Sequence, residues 1–157
     1  MSIDPEKLMQ HAIDAAQRGI ERKQSPFGCA IAQGDRIVVA SHNVVWQTTD
    51  ITAHAEVTAL REACRELDQI LLDDCVVATT CEPCPMCTSA LHWARVKKVY
   101  YGATIADAAD AGFNELKVDA ATLLRTGGSQ VILQKGILQE ECKQLFTLWS
   151  ARNGEAY

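Results

Sequence analysis

The apolar residues at the start of the chain repeat first with the period of a helix and then with that of strands. Asp4-Pro5 offers a capping residue followed by proline, and the apolar positions after it predict an amphipathic helix over residues 5–23. Two apolar runs follow, Gly28 to Ala32 and Arg36 to Ala40. They predict a β-hairpin, because Gly34 between them can adopt a positive φ.

The rest of the chain alternates between the same two periods. The predicted elements are a helix from His54 to Leu67, a strand from Cys75 to Thr79, a helix from Cys84 to Arg95, a strand from Lys98 to Tyr101, an irregular segment over 104–128, a strand from Val131 to Leu133 and a helix from Ile137 to Ser150. Strands that alternate with helices indicate an α/β layered fold, with helices on both faces of a mixed sheet. No repeat or linker divides the chain, so residues 1–157 are expected to form one domain.

Composition and charge narrow the partners and the compartment. Hydrophobic residues make up 48% and charged residues 22%, and the formal net charge of -5 makes nucleic acid an improbable partner. The N-terminus lacks the pattern of a signal peptide, and no apolar run approaches the roughly 20 residues of a membrane span. Seven cysteines in such a chain favour a reduced, cytoplasmic protein that uses some thiols as ligands.

Two short motifs carry the candidate chemistry. His54-Ala55-Glu56 opens one predicted helix, and Cys84 and Cys87 lie three residues apart at the start of another. One imidazole and two thiolates suit Zn²⁺, and three protein ligands leave a fourth position for water, as in catalytic zinc sites. Glu56 is then available to move the proton of that water to the substrate. These residues favour a catalytic zinc site.

Three other interpretations use the same cysteines. Cys81 is available as a fourth ligand of a structural zinc, the three cysteines resemble part of an iron–sulfur run, and Cys84 and Cys87 fit a redox pair. A structural zinc or a redox pair leaves Glu56 without a role, and the iron–sulfur run lacks its fourth cysteine after Cys87. A binding module without catalysis is the alternative to an enzyme, and Cys81 is expected to end a buried strand.

The motifs His54-Ala55-Glu56 and Pro83-Cys84-Pro85-Met86-Cys87 resemble the signature of the cytidine deaminase-like superfamily. That resemblance implies a three-layer α/β/α sandwich around a mixed five-stranded sheet and one zinc ion per chain. The segment from Asp107 to Phe113 and the aromatic C-terminus make the chain most similar to the bacterial guanine deaminase branch. The implied reaction is the hydrolysis of guanine to xanthine and ammonia, with water as co-substrate.

The resemblance also implies roles for individual residues. Asn43 is expected to bind the purine edge, Phe27 and Trp93 to line the pocket, and the backbone of Ala55 to bond a base oxygen. The tail from about residue 150 to 157 is expected to exchange between the subunits of a homodimer, so that Tyr157 closes the partner's site. Without the resemblance, Asn43 fits a turn equally well, Phe27 fits the core, and Tyr157 fits a frayed end.

One position departs from the guanine deaminase pattern. In the pattern of that branch, two aspartates follow the Gly-Phe pair, whereas in this chain Asn114-Glu115 follows Gly112-Phe113. Glu115 is expected to replace the second acid, which binds guanine and relays a proton, with a carboxylate moved by one methylene. A guanosine deaminase branch also resembles the glutamate pattern, so guanosine is the main rival substrate. Cytosine, cytidine and tRNA adenosine are the further alternatives.

Overall fold

The computed structural model describes residues 2–157, and none of its helices in that range is both long and apolar enough to cross a membrane. In chain order the elements are α1 (Pro5–Glu21), β1 (Gly28–Gln33), β2 (Arg36–His42), α2 (Val45–Thr48), α3 (Ala55–Leu67), β3 (Cys75–Cys81), α4 (Pro85–Trp93), β4 (Lys98–Ala103), α5 (Ile105–Asp110), α6 (Ala120–Thr126), β5 (Ile132–Gln134) and α7 (Gln139–Ala151).

The strands form a single five-stranded sheet in the order β2-β1-β3-β4-β5. β1 runs antiparallel to both β2 and β3, whereas β4 runs parallel to both β3 and β5. The hairpin turns through Gly34 at a φ of 63°, and helices connect the parallel strands. The predicted mixed sheet of the cytidine deaminase-like fold is confirmed.

Helices cover both faces of the sheet, and each face has its own core. Alternate residues of β1 point to opposite sides, so that Ala30 packs with α1 and α7 whereas Ile31 packs with α3 and α4. On the next strand Ala78 and Val77 divide in the same way. Small side chains on the first face allow α1 to lie close to the strands.

The segment over 104–128 is more regular than the sequence indicated. It contains α5, which Thr104 and Asp107 begin with a reciprocal capping box, and α6, where the carboxylate of Asp119 accepts from the backbone N–H of Thr122 at 2.7 Å. The prediction of irregular structure was wrong, because both helices are too short to show a clear apolar period. The short helix α2 was not predicted for the same reason.

A substitution at Gly28 tests how closely α1 packs on the sheet. A Cβ at this position would lie 2.0 Å from the carbonyl oxygen of Ala12 and 2.8 Å from the backbone nitrogen of Ala16. Gly28→Ala therefore forces α1 away from β1, and we expect a loss of about 1–3 kcal/mol of unfolding free energy in a denaturant titration.

Gly136→Ala is the control for that experiment. Gly136 has a φ of 81° and no atom within 4 Å of an added Cβ, so the substitution adds backbone strain without a clash. We expect it to cost about 1 kcal/mol. If Gly28→Ala cost no more than the control, the contact between α1 and β1 would not be a packing limit.

Candidate active site

The starts of α3 and α4 meet on one side of the sheet, and their capping residues face each other. His54 caps α3 and Cys84 caps α4, both with extended backbone and neither using its side chain to cap the helix. Each Sγ atom of Cys84 and Cys87 lies 3.6 Å from Nδ1 of His54. Pro85 at the first turn and the hydrogen bond from the Thr88 hydroxyl to the carbonyl of Pro83 fix the turn that carries the cysteines.

The spacing of these three side chains fits a tetrahedral zinc ion. Zinc–sulfur and zinc–nitrogen bonds of about 2.3 and 2.0–2.1 Å place neighbouring ligand atoms about 3.5–3.7 Å apart. The ligand atoms of His54, Cys84 and Cys87 all lie within 4.8 Å of one another, so the group can hold a metal ion. Cys81 is not part of the group. It ends β3 as expected, and its thiol donates to the carbonyl of Thr104.

The protonation of the cysteines agrees with a ligand role. The hydrogen bonds from Cys87 and His54 lower the pKa of Cys84 to about 4, against the opposing effect of burial. The interaction with Cys84, together with burial, raises the pKa of Cys87. Cys84 is therefore the more acidic of the two thiols, and a bound cation would favour the thiolate form of both.

Glu56 is buried beside the ligand group. It lies in the first turn of α3, and its Oε1 accepts from the hydroxyl of Thr79 on β3 at 3.0 Å. Burial, together with the charge of Cys84, raises the pKa of Glu56. A carboxyl group with a raised pKa that is held in one orientation is suited to proton transfer.

A small cavity opens next to the ligand group, with a volume of about 30 Å³. The residues that line it are Phe27, His54, Glu56, Cys81, Glu82, Cys84, Glu115 and Tyr157. Burial raises the pKa of Glu115 to about 7, and the charge of Cys84 adds to the shift. The cavity has room for a water molecule but not for a purine, so a substrate of that size requires the residues above it to move.

The C-terminal tail forms the roof of this cavity. The amide of Asn43, which is 1% exposed, donates to the hydroxyl of Tyr157 at 2.7 Å, and the indole N–H of Trp46 donates to the carbonyl of Glu155 at 3.1 Å. The ring of Tyr157 lies 5.7 Å from that of His54 and 5.4 Å from that of Phe113. In the single chain the tail therefore covers the site of its own chain. The exchange of tails between subunits stays a prediction.

Most of the residues predicted for the site come together, and Trp93 does not. Ala55 is buried at the first position of α3, where the backbone N–H has no partner within the helix. Trp93 is 79% exposed at the far end of α4, about 13 Å along the helix axis from Cys84, and lines a separate cavity with Leu123 and Leu124. The prediction that Trp93 lines the substrate pocket is not supported within one chain.

Sequence reasoning missed two side chains that organise the site. Thr79 holds Glu56, and Trp46 holds the tail. Thr79 resembles any other β-branched residue of a buried strand, and Trp46 lies in a helix of four residues. Neither position carries a local signal, because their partners are distant in the chain.

Comparisons with known proteins agree with this site. Residues 2–103 match the family described as the cytidine and deoxycytidylate deaminase zinc-binding region. The chain is similar to guanine deaminase of Bacillus subtilis, with 45% identity over 111 residues that cover 70% of this chain and 71% of the relative. It is also similar to the tRNA-specific adenosine deaminase of Aquifex aeolicus, with 39% identity over 98 residues that cover 62% and 65% of the two chains.

A solved structure gives the same fold. Guanine deaminase from Nitrosomonas europaea superposes with a TM-score of 0.87 at 24% identity, over 95% of this chain and 86% of that one. At this identity the likeness concerns the fold alone. The family match, the relatives and the arrangement of His54, Cys84 and Cys87 lead to one conclusion. The chain belongs to the cytidine and deoxycytidylate deaminase family and is a zinc-dependent hydrolytic deaminase.

Proposed function

We propose that this deaminase converts guanine and water to xanthine and ammonia, with one zinc ion per chain held by His54, Cys84 and Cys87. The observation that carries the proposal is the enclosure of one small cavity by a metal-binding group, three acidic side chains and a C-terminal tyrosine. A site that a short tail roofs over favours a small molecule. The net charge of -5 disfavours a polynucleotide substrate, and the similarity to guanine deaminase of Bacillus subtilis supports guanine. The seven cysteines and the similarity to that guanine deaminase support the expected cytoplasmic location.

The zinc ion, when bound, acidifies a water molecule and so supplies the nucleophile at neutral pH. Glu56 accepts one proton of that water and donates it to a ring nitrogen; it then accepts the proton of the hydroxyl added to the base and donates it to the departing amine, which leaves as ammonia. The hydrogen bond from Thr79 keeps the carboxylate oriented during both transfers. Burial of Glu56 raises its pKa, which brings the proton-accepting and proton-donating forms closer in free energy at neutral pH.

Recognition of the base falls to the side chains around the roof of the cavity. The amide of Asn43 can pair with the edge of a heterocycle once it releases the hydroxyl of Tyr157. The ring of Phe27 offers an apolar surface to a flat base, and the backbone N–H of Ala55, which has no partner within α3, is free to bond a base oxygen. Glu115 provides a carboxyl group whose raised pKa lets it donate as well as accept a hydrogen bond near pH 7.

Guanosine is the second candidate substrate, and Glu115 is the reason. The extra methylene relative to aspartate moves its carboxyl group by about 1.5 Å, which changes the space left for a substituent on the purine. The enclosure by Tyr157 argues for the free base, because a ribose needs additional volume above the cavity.

A panel of amines distinguishes these substrates. We expect the zinc-loaded enzyme to release ammonia from guanine with a kcat/KM at least about 100-fold above that for guanosine, cytosine, cytidine, adenine or a tRNA adenosine, because a substrate that leaves buried polar groups unpaired is strongly rejected. Ammonia release coupled to a reductive amination assay measures all of them alike. A higher kcat/KM for guanosine than for guanine would show that the enzyme acts on the nucleoside and not on the free base.

Glu56→Gln tests the proton transfer separately from metal binding. The amide keeps the size of the side chain but cannot exchange the proton, so we expect kcat to fall by about 10²–10⁴-fold while elemental analysis still finds one zinc per chain. Glu66→Gln is the matched control, since Glu66 lies on the same helix with an exposed ion pair to Arg36. Normal turnover by Glu56→Gln would remove Glu56 from the mechanism.

The exchange of tails is tested by complementation. We propose a homodimer in which Tyr157 closes the partner's site. Co-expression of Glu56→Gln with Tyr157→Ala then yields heterodimers with one intact site, built from the Glu56 of one chain and the tail of the other. We expect such heterodimers, separated by two different affinity tags, to recover up to about half of the wild-type turnover, since one of the two sites of a C2 dimer is complete.

Each variant expressed alone is the control for the complementation. Tyr157→Ala is expected to lose at least about 10-fold in kcat/KM, because the open cavity admits water and leaves the substrate less well oriented. Heterodimers no more active than the variant homodimers would show that each tail closes the site of its own chain.

A further inference from the structure

Glu82 lies between β3 and α4, two residues before Cys84, and its carboxylate is buried beside the cavity. Its two oxygens have different partners. Oε1 accepts from the backbone N–H of Ile105 at 3.2 Å, and Oε2 accepts from the backbone N–H of Ala120 at 2.9 Å. Ile105 is the first residue of α5 and Ala120 is the first residue of α6. One side chain therefore joins the beginnings of two helices to the turn that carries a metal ligand.

Both hydrogen bonds have a charged acceptor, which makes them stronger than bonds between neutral groups. The first N–H groups of a helix have no partner within the helix, and a carboxylate there is favoured by its charge as well as by the bonds. The backbone adds a third connection, because the N–H of Glu82 donates to the carbonyl of Ala103 at 2.8 Å. A neutral side chain of the same size could not accept from both donors.

The chain between the two donors contains Glu115. After Phe113, which is buried against Tyr157, the segment over 114–119 has few contacts that could hold it. Leu116 and Val118 are exposed, and the N–H groups of Glu115 and Val118 bond only to carbonyls two residues earlier. At its start the loop is held by Phe113 and by the N–H of Asn114, which donates to the carbonyl of Tyr157 at 3.5 Å, and the bond from Ala120 to Glu82 closes its other end.

We propose that Glu82 is a positioning residue that fixes the loop bearing Glu115 relative to the metal-ligand turn. It acts by accepting the first N–H of α5 and of α6, and it takes no part in the transfer of protons. The proposal rests on the role proposed above for Glu115. Because Cys84 and Glu115 are then placed by the same turn, the distance between the ligand group and the acid that contacts the base stays constant.

Glu82→Gln is the informative substitution, because its amide group can accept at one position but presents an N–H₂ to the other donor. We expect zinc content and the cooperative unfolding transition to be retained, and kcat/KM to fall by about 10–100-fold, since a misplacement of about 1 Å has effects of this size. Glu82→Asp keeps both acceptors on a shorter stem and should recover part of the loss. It also serves as the test variant if Glu82→Gln does not fold.

Two measurements separate positioning from a general structural role. Hydrogen exchange of residues 104–120 should be faster in Glu82→Gln than in the wild type, whereas exchange in α1 should not change. In a double-mutant cycle, Glu82→Gln should reduce kcat/KM by less than about twofold when Glu115 is already replaced by glutamine, because residues that act through one another are not additive. Unchanged exchange over 104–120, or a fully additive loss, would overturn the proposal.

Asp119→Asn is the matched control. Asp119 caps α6 one residue before Ala120 but is exposed and has no bond to the metal-ligand turn. We expect its kcat/KM to stay close to that of the wild type. An equal loss of kcat/KM in Asp119→Asn and Glu82→Gln would contradict the proposal, because loosening the start of α6 would then explain the loss without the link to the metal-ligand turn. The assays use whichever amine of the panel the wild type deaminates. A wrong assignment of guanine therefore appears in the wild type, and the exchange measurement judges Glu82 independently of the substrate.

Discussion

The site depends on the meeting of two helix beginnings. At the start of a helix the backbone carries unpaired N–H groups and a partial positive charge, which favours thiolate and carboxylate side chains. The starts of α3 and α4 bring the imidazole of His54 within 3.6 Å of both thiols, and Glu56 lies in the first turn of α3. Both helices pack on the same face of the sheet, so the spacing of the ligands is set by the packing of that core.

The carboxyl groups around the cavity show how negative charge is accommodated there. Glu56, Glu82 and Glu115 all line it, yet each has a different environment. Glu82 is paired with two backbone N–H groups, Glu56 accepts from Thr79, and Glu115 is half-buried on a loop. Burial raises the pKa of Glu56 and of Glu115. A divalent cation at the neighbouring thiols would offset much of this charge, which links the acid–base groups to the occupancy of the metal site.

Aromatic rings connect the site to the opposite core. Phe113 lies 4.9 Å from Phe27 and 5.0 Å from Trp149, and it also contacts Tyr157. The same cluster therefore supports the wall of the cavity, the loop that bears Glu115 and the tail. Contacts of this kind explain how Tyr157 can be half-buried, although terminal residues are usually poorly ordered. They also make the position of the tail dependent on the fold of the whole chain.

The sequence by itself determined the features that depend on neighbouring residues. Local patterns were sufficient to predict the ligand group and the mixed sheet. These patterns are the spacing of Cys84 and Cys87, the order His54-Ala55-Glu56, and the alternation of helical and strand periods. The tertiary structure alone decided which distant residues meet. It brought Thr79 to Glu56 and Glu82 to the starts of α5 and α6, and it left Trp93 on the surface. These contacts join positions far apart in the chain, and packing across the sheet selects them without leaving a period or a motif in the sequence.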